Sequence, residues 1–206
     1  MNGEFLLDQI TPMVITFNEE PNLKRCLDKL TWAKRILVID SGSTDATLAI
    51  ARSFPQVVVV HRAFDSFAQQ CNFGLTQVAT RWVLSMDCDY ELSDDLVAEL
   101  KTLRKSEITA YTVAFVYRMY GRPLRGTLYP PRAALYRVDG AAYRDEGHGH
   151  RIVVTGPKGK LAAKIFHDDR KPLSRWLGSQ QRYAKQRSTT SSQRRAPILA
   201  ASINCG

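Results

Sequence analysis

Two aspartates, Asp87 and Asp89, follow directly on an apolar run in the segment LSMDCDYEL (84–92). Side chains at i and i+2 of an extended segment project to the same side, so the two carboxylates are expected to lie together. Two nearby carboxylates both ionise at low cost only when a cation accompanies them. Mg²⁺ or Mn²⁺ suits such a pair, since these hard ions bind carboxylates together with substrate phosphates. The pattern therefore predicts a divalent metal site, with a solvated turn as the alternative and Cys88 pointing into the core.

A buried strand has to hold these carboxylates in place. In the first ninety residues, four apolar runs alternate with helical patterns, and the runs cover residues 13–17, 36–40, 57–61 and 82–87. Strands that are apolar on both faces, each followed by a crossover helix, are typical of a parallel sheet covered on both sides. The sequence therefore predicts an α/β fold with a mostly parallel central sheet and helices on both faces.

Polar clusters follow three of these strands, namely TFNEE (16–20), DSGSTD (40–45) and DCD (87–89). Ligands of parallel sheets bind beyond the carboxyl ends of the strands, so the three clusters predict one binding site. Asp40 is well placed to accept hydrogen bonds from N–H groups of a ligand, and Gly42 permits a tight turn. Ser43 or Thr44 is expected to cap the next helix, with Asp45 near its positive end.

The second half of the chain predicts an extension of the sheet. A helix is expected after Ser93, followed by strands near residues 109–120, 132–137, 151–155 and 161–167. Residues 172–184 have the pattern of a closing helix. One domain is therefore expected over 1–185, followed by a basic tail at 186–206.

Together, TFNEE, DSGSTD and DCD resemble the donor-binding half of family 2 glycosyltransferases with the GT-A fold, a Rossmann-like architecture. The similarity is closest to small enzymes that add sugars to lipopolysaccharide core or other envelope glycans. It is specific over residues 12–90 and continues more loosely to about 185, through FAQQCNFGL, EGHGHR and HDDRKPLSRWL. The resemblance implies inverting transfer from a nucleotide-diphospho-sugar, with a UDP-sugar as first choice, to an envelope glycan or lipid-linked acceptor.

The resemblance also implies roles for individual residues. Asp40 and Glu19 would bind the nucleoside base and ribose. Asp87 would lie near the ribose and the metal, and Asp89 would ligate the Mg²⁺ or Mn²⁺ that bridges the diphosphate. His167 would complete the metal shell, with a surface histidine as the alternative. The full donor-binding set is Thr16, Asn18, Glu19, Asp40, Ser41, Gly42, Asp45 and Asp87.

Inverting enzymes of this kind use an acidic side chain to remove the acceptor proton. The related enzymes usually carry His-Glu in this region, whereas this chain has DEGHGHR at 145–151. Glu146 is the first candidate for the base, followed by Asp145 and then His148.

The net charge of +9 is placed unevenly. Residues 170–206 hold eight Lys or Arg and no acid, which leaves +1 for residues 1–169. Such a tail either binds anionic lipid or is a solvated end. The four scattered cysteines, the short apolar runs and the acidic N-terminus predict a cytoplasmic protein without an export signal, in peripheral contact with the inner face of the membrane if the tail binds lipid.

The same residues also bear on other classes of protein. A sugar-phosphate nucleotidyltransferase needs a glycine-rich, basic loop after the first strand, where this chain has the acidic TFNEEPN. An aspartyl phosphatase carries its DxD at the first strand's end, where this chain has Thr16 and Asn18. Residues 1–169 are nearly neutral and contain no nucleic-acid recognition motif, which argues against a nucleic-acid-binding protein. A non-catalytic nucleotide-sugar or membrane-binding module stays open, because related enzymes continue with membrane-associating segments that QRRAPILAASINCG does not resemble. The chain would then be truncated, frameshifted or naturally short.

Overall fold

The computed structural model describes residues 6–126, 130–146, 149–175, 177–178 and 181. The chain divides into two compact units, Met1–Arg170 and Lys171–Gly206. In the second unit, residues 173–175, 177–178 and 181 are helical, within the expected closing helix. The predicted basic tail at 186–206 lies outside the described residues. Within the described part of the chain, no helix is long and apolar enough to cross a membrane.

Strands and helices alternate in the first half of the first unit. They are β1 (Ile10–Thr16), α1 (Leu23–Asp28), β2 (Ile36–Asp40), α2 (Thr47–Arg52), β3 (Val57–His61), α3 (Phe67–Gln77) and β4 (Trp82–Asp87). The four strands are parallel in the order β3-β2-β1-β4. Their carboxyl ends, Thr16, Asp40, His61 and Asp87, therefore share one side of the sheet, which we call the carboxyl edge.

Burial on both faces explains the continuous apolar runs. Met13 and Leu37 pack in one core cluster, which includes residues of α3. Their neighbours Val14 and Val38 point to the other face and pack in a second cluster, which includes residues of α1. Because successive side chains of a strand alternate between faces, only an uninterrupted apolar run fills both layers.

The second half extends this sheet with mixed pairing. Its elements are β5 (Tyr90–Leu92), α4 (Asp94–Thr102), β6 (Ala110–Met119), β7 (Arg122–Pro123), β8 (Arg132–Arg137), β9 (Ala142–Glu146), β10 (Gly149–Val153) and β11 (Lys158–His167). The sheet continues from β4 through β8, β6 and β11 to β5, and β7 pairs with β6. Strands β9 and β10 pair only with each other, antiparallel, and form what we call the β9–β10 ribbon.

The α/β fold and the predicted strands are confirmed, and three details differ. The sequence did not indicate β5 or β9. Helix α2 begins only at Thr47, and neither Ser43 nor Thr44 caps it, because its N-cap residue is Ala46. Phe67, the first residue of α3, is 37% exposed, although Cys71 and Leu75, which follow it at helical spacing, are buried.

Candidate active site

The loops that follow β1 and β2 are joined by hydrogen bonds. The backbone N–H of Asn18 donates to Ser43 Oγ (2.9 Å), and the N–H of Thr44 donates to Asn18 Oδ1 (2.8 Å). The N–H of Glu19 donates to Thr47 Oγ1 at 2.7 Å. Asn18 has a φ of 52°, a left-handed conformation that asparagine tolerates better than most residues. In the structure, the Asn18 side chain therefore fixes one loop against the other.

Asp45 belongs to the same bracing. Its carboxylate accepts from the backbone N–H of Thr47 (3.0 Å), from the Thr47 hydroxyl and from the N–H of Glu20 (3.3 Å). Burial opposes the charged form, but these hydrogen bonds prevail and lower the pKa of Asp45. The carboxylate thereby lies at the start of α2 and accepts from the first N–H group of that helix.

Asp40 organises its own loop. The side chain is buried, and Oδ2 accepts from the N–H groups of Gly42 (2.8 Å) and Ser43 (3.0 Å). Oδ1 accepts from the Ser43 hydroxyl at 2.5 Å. Gly42 has a φ of 95°, so a side chain there would be strained. The N–H of Ser41 donates to the Thr16 carbonyl (3.0 Å), which ties the ends of β2 and β1 together.

A pocket of about 410 Å³ opens beside Asp40, between α2 and β3. Its wall combines apolar and polar side chains, namely Asp40, Gly42, Ser43, Leu48, Arg52, Val57, Val59 and His61. This volume lies in the range of small-molecule sites, and a wall that combines apolar side chains with polar groups suits a heterocyclic base. Sequence reasoning missed Leu48, Arg52 and His61, which belong to no motif.

Asp89 and His167 form the candidate metal centre. Asp89 lies in a turn with Cys88, so the expected extended geometry is wrong at this point. Cys88 is buried, as expected, and its Sγ contacts the Ile15 carbonyl at 3.2 Å. His167 Nε2 lies 3.0 Å from Asp89 Oδ2. The two residues meet because β11 pairs with β5, which places His167 opposite Tyr90.

Negative charge accumulates around this pair. Burial, and next the charge of Asp89, raise the pKa of Asp87. Burial opposes the charged form of His167, but the hydrogen bond to Asp89 and the charges of Asp89 and Asp87 outweigh it and raise the pKa of the imidazole. The effect of Asp89 on the pKa of Asp87 and the effects of both carboxylates on the pKa of His167 are in the direction expected where acidic side chains lie close together.

The donor set fits Mg²⁺ or Mn²⁺. Among the described residues, no group of three or more His, Cys, Asp or Glu side chains is arranged to hold a metal ion. An ion of this type needs few side chains, however, because water and phosphate oxygens complete its shell. Asp89 and His167 supply one carboxylate and one imidazole, and buried Asp87 adds charge beside them.

The residues after His167 anchor the pair. Asp168 is buried and accepts from the N–H of Gly121 (2.8 Å) and from the Arg170 guanidinium (2.7 Å). Asn22, also buried, donates to Asp169 and to Glu19, both at 2.8 Å. Asn22 thus connects the end of β11 to the loop after β1, a role that its sequence context did not indicate.

The predicted bases lie on or near the β9–β10 ribbon, in different surroundings. Asp145 accepts from the Ser66 hydroxyl (3.0 Å) and from the N–H of Ala68 (3.3 Å), at the start of α3. Glu146 is 62% exposed and pairs with Arg151 at 3.3 Å. His148 lies outside the described residues.

A second histidine of the ribbon, His150, faces the site. It is the cross-strand partner of Asp145, so both side chains share one face of the ribbon, and the Glu146 side chain is on the other. The His150 ring lies 5.1 Å from that of Tyr143 and 5.7 Å from that of Phe67. Burial lowers the pKa of His150, against the opposing charge of Asp87. Sequence reasoning missed this residue, although it belongs to the same GHGHR segment.

The architecture is that of the GT-A glycosyltransferases. The crystal structure of S. aureus TarS residues 1–349 superposes with a TM-score of 0.58 at 14% identity, over 77% of this chain and 60% of that one. Its complex with UDP-GlcNAc gives 0.59 at 14% identity, over 79% and 59%. The chain belongs to glycosyl transferase family 2, whose model matches residues 13–153.

Curated relatives match about half of the chain. An uncharacterized glycosyltransferase of Rickettsia bellii is 33% identical over 106 residues, which are 51% of this chain and 36% of that protein. The lipopolysaccharide core biosynthesis glycosyltransferase LpsC of Rhizobium meliloti is 30% identical over 111 residues, 51% of this chain and 41% of that protein. The matched part of this chain thus spans well under half the length of these relatives.

Proposed function

We propose that this chain transfers a sugar from a nucleotide-diphospho-sugar to an envelope glycan or a lipid-linked acceptor, with inversion and with Mg²⁺ or Mn²⁺ as cofactor. The observation that carries the proposal is the Asp89–His167 pair beside buried Asp87, on the same edge as the pocket at Asp40. A UDP-sugar is the first donor to test, because TarS, which shares the fold, was solved with UDP-GlcNAc. The similarity to LpsC favours an envelope glycan as acceptor.

Each part of the carboxyl edge has a role in this reaction. The pocket beside Asp40 would hold the nucleoside, and the braced loops would fix its position. Asp89 and His167 would hold the divalent ion, which offsets negative charge on the leaving diphosphate. A base on the β9–β10 ribbon would remove the proton of the acceptor hydroxyl as it attacks. A single displacement of this kind inverts the anomeric carbon.

Calorimetry of UDP binding with and without Mn²⁺ tests the proposal. We expect wild-type protein to bind UDP more tightly with Mn²⁺, and Asp89→Asn to lose at least tenfold of that affinity, because the amide carries no charge. Asp87→Asn should also weaken Mn²⁺-dependent UDP binding, but less than Asp89→Asn does. The matched control is Asp139→Asn, an exposed carboxylate outside the candidate site, which should bind like wild type. Circular dichroism checks that all variants are folded.

Unchanged Mn²⁺-dependent binding in Asp89→Asn would refute the metal assignment. Absence of UDP binding in folded wild-type protein, across a panel that also contains GDP and other nucleoside diphosphates, would refute the donor class.

A further inference from the structure

Two phenylalanines at the carboxyl edge are exposed, Phe64 in the loop after β3 and Phe67 at the start of α3. Phe64 is 50% exposed and Phe67 is 37% exposed. Their ring centroids lie 5.1 Å apart at an interplanar angle of 74°, an edge-to-face pair. Exposing two adjacent aromatic rings costs free energy unless a ligand covers them. We call these two rings the aromatic corner.

The aromatic corner lies between the donor residues and the β9–β10 ribbon. Phe64 is in the loop after β3, whose end belongs to the carboxyl edge. Phe67 contacts the ring of His150, on the ribbon face that also carries Asp145. Asp145 in turn accepts from Ser66, the residue before Phe67.

Hydrogen bonds hold this loop in a defined shape. Both guanidinium NH groups of Arg62 donate to the Asp65 carboxylate, at 2.8 and 2.7 Å, and these bonds lower the pKa of Asp65 well below its ordinary value. Arg62 also donates to Gln70 (2.9 Å), and Gln70 donates to Ser41 Oγ (3.0 Å) in the loop after β2. The corner is therefore preorganised and connected directly to the donor loop.

The size and surroundings of the corner favour a sugar ring as its occupant. Two half-exposed aromatic side chains offer on the order of 200 Å², whereas a stable protein interface needs about 800 Å² per partner. Exposed Asp65 and Gln69 flank the rings, which suits hydroxyl groups and not a lipid chain. The C–H face of a pyranose is slightly positive and stacks on the negative face of an aromatic ring.

We propose that Phe64 and Phe67 form the subsite that binds a pyranose ring of the acceptor. This proposal rests on the proposed function, because it takes the ribbon as the side from which the base acts. A base must lie within hydrogen-bonding reach of the acceptor hydroxyl, so the acceptor ring has to sit beside the ribbon. Among the described residues, the aromatic corner provides an aromatic surface beside the ribbon.

Saturation-transfer NMR with a panel of methyl pyranosides tests the subsite. The panel contains the methyl glycosides of glucose, galactose, mannose, N-acetylglucosamine and heptose, each titrated in the presence of UDP and Mn²⁺. We expect at least one glycoside to bind wild-type protein saturably at millimolar concentration. The double variant Phe64→Ala/Phe67→Ala should lose about tenfold in affinity for it, while calorimetry shows unchanged UDP binding.

Two further variants separate stacking from general apolar contact and from misfolding. Phe64→Tyr/Phe67→Tyr keeps both rings and should retain binding, whereas Phe64→Leu/Phe67→Leu keeps apolar surface without rings and should not. Val58→Ala, at a side chain 38% exposed near the start of β3, controls for loss of exposed apolar area. Equal glycoside affinity in the double alanine variant, or no saturable glycoside binding by wild type, would overturn the subsite. Loss of UDP binding in wild type would instead count against the proposed function.

Discussion

Asp145 and Glu146 are neighbours in β9, yet their side chains have different partners. Asp145 accepts two hydrogen bonds at the start of α3, and Glu146 is exposed beside Arg151. The Asp145 carboxylate is already engaged by two donors at the start of α3, whereas the exposed Glu146 carboxylate is open to an approaching acceptor hydroxyl. Glu146 therefore remains our first candidate for the base from its surroundings, whereas the aromatic corner, on the ribbon face of His150 and Asp145, favours a base on that face. These two observations predict different bases, which the variants below distinguish.

We expect Glu146→Gln to lower turnover by about 10² to 10⁴, the usual effect of losing a general base. The amide keeps the size of the side chain but cannot take up the acceptor proton, so donor affinity should stay near normal. Release of UDP from a UDP-sugar, with water in place of the acceptor, measures turnover, and calorimetry measures affinity. Arg151→Gln serves as the control, because it breaks the ion pair and leaves the carboxylate.

Either of two results would reassign these residues. Persistent turnover in Glu146→Gln would move the base to Asp145, His148 or His150, and the same assay on Asp145→Asn and His150→Gln would distinguish them. A collapse of donor affinity would place Glu146 in the donor shell.

Among the secondary-structure elements, α3 is fixed unusually closely to the sheet. A Cβ built on Gly74 would lie 2.5 Å from Met13 Sδ and 3.2 Å from Ile39 Cγ1. Both neighbours are fully buried, so they have little room to move. The glycine therefore sets the distance between α3 and strands β1 and β2. The N-terminus of the same helix carries Ser66 and Phe67 at the carboxyl edge.

We expect Gly74→Val to destabilise the protein by about 1–3 kcal/mol, the usual effect of forcing extra methyl groups into a packed core. Urea unfolding should show a lower midpoint with an unchanged slope. Thr76→Val, at an exposed position of the same helix, keeps the β-branched shape and should leave the midpoint near that of wild type. A Gly74→Val midpoint equal to that of wild type would show that α3 can shift without cost.

The sequence predicted the parallel strands well because burial on both faces leaves an uninterrupted apolar run. It gave no signal for β5, which is three residues long, or for β9, which buries only Tyr143. The clusters at the strand ends were also predicted, because parallel topology brings those ends together. The bracing roles of Asn18 and Asp45 depend on the distance between two loops, which no local pattern encodes. The closeness of His167 to Asp89 was implied only by the family resemblance.

At the scale of the whole molecule, charge is separated along the sequence. Residues 170–206 carry eight of the nine net positive charges. An enzyme with a lipid-linked acceptor has to work at a membrane surface, and anionic lipids attract basic segments by about 1 kcal/mol per Lys or Arg. We therefore propose that residues 170–195 hold the first unit reversibly against the inner face of the membrane. Most of this segment lies outside the described residues, so the proposal rests on charge alone.

Co-sedimentation with vesicles measures this attachment. We expect binding to anionic vesicles that weakens as salt shortens the screening length, and no binding to neutral vesicles. Replacing Arg182, Lys185, Arg187, Arg194 and Arg195 by Gln should release the protein without altering UDP binding. As a control, the same number of exposed cations is replaced in the first unit, at Lys24, Lys34, Lys101, Lys105 and Lys158. Equal sedimentation of the tail variant and wild type, or vesicle binding that does not change with salt concentration, would show that the tail is only a solvated end.

The pairing of β11 with β5 also determines when, during synthesis of the chain, Asp89 and His167 can come together. Asp89 and His167 are 78 residues apart in the chain. A ribosome that adds about 5–20 residues per second needs on the order of 4–16 s to travel between them. The pairing among the four parallel strands needs no residue beyond β4, so these strands can pair with one another within that interval, before β8 joins β4. We therefore expect the nascent chain to form the pocket beside Asp40 before it has both groups that would hold the cation, so that, under the proposed function, productive donor binding begins with the arrival of β11.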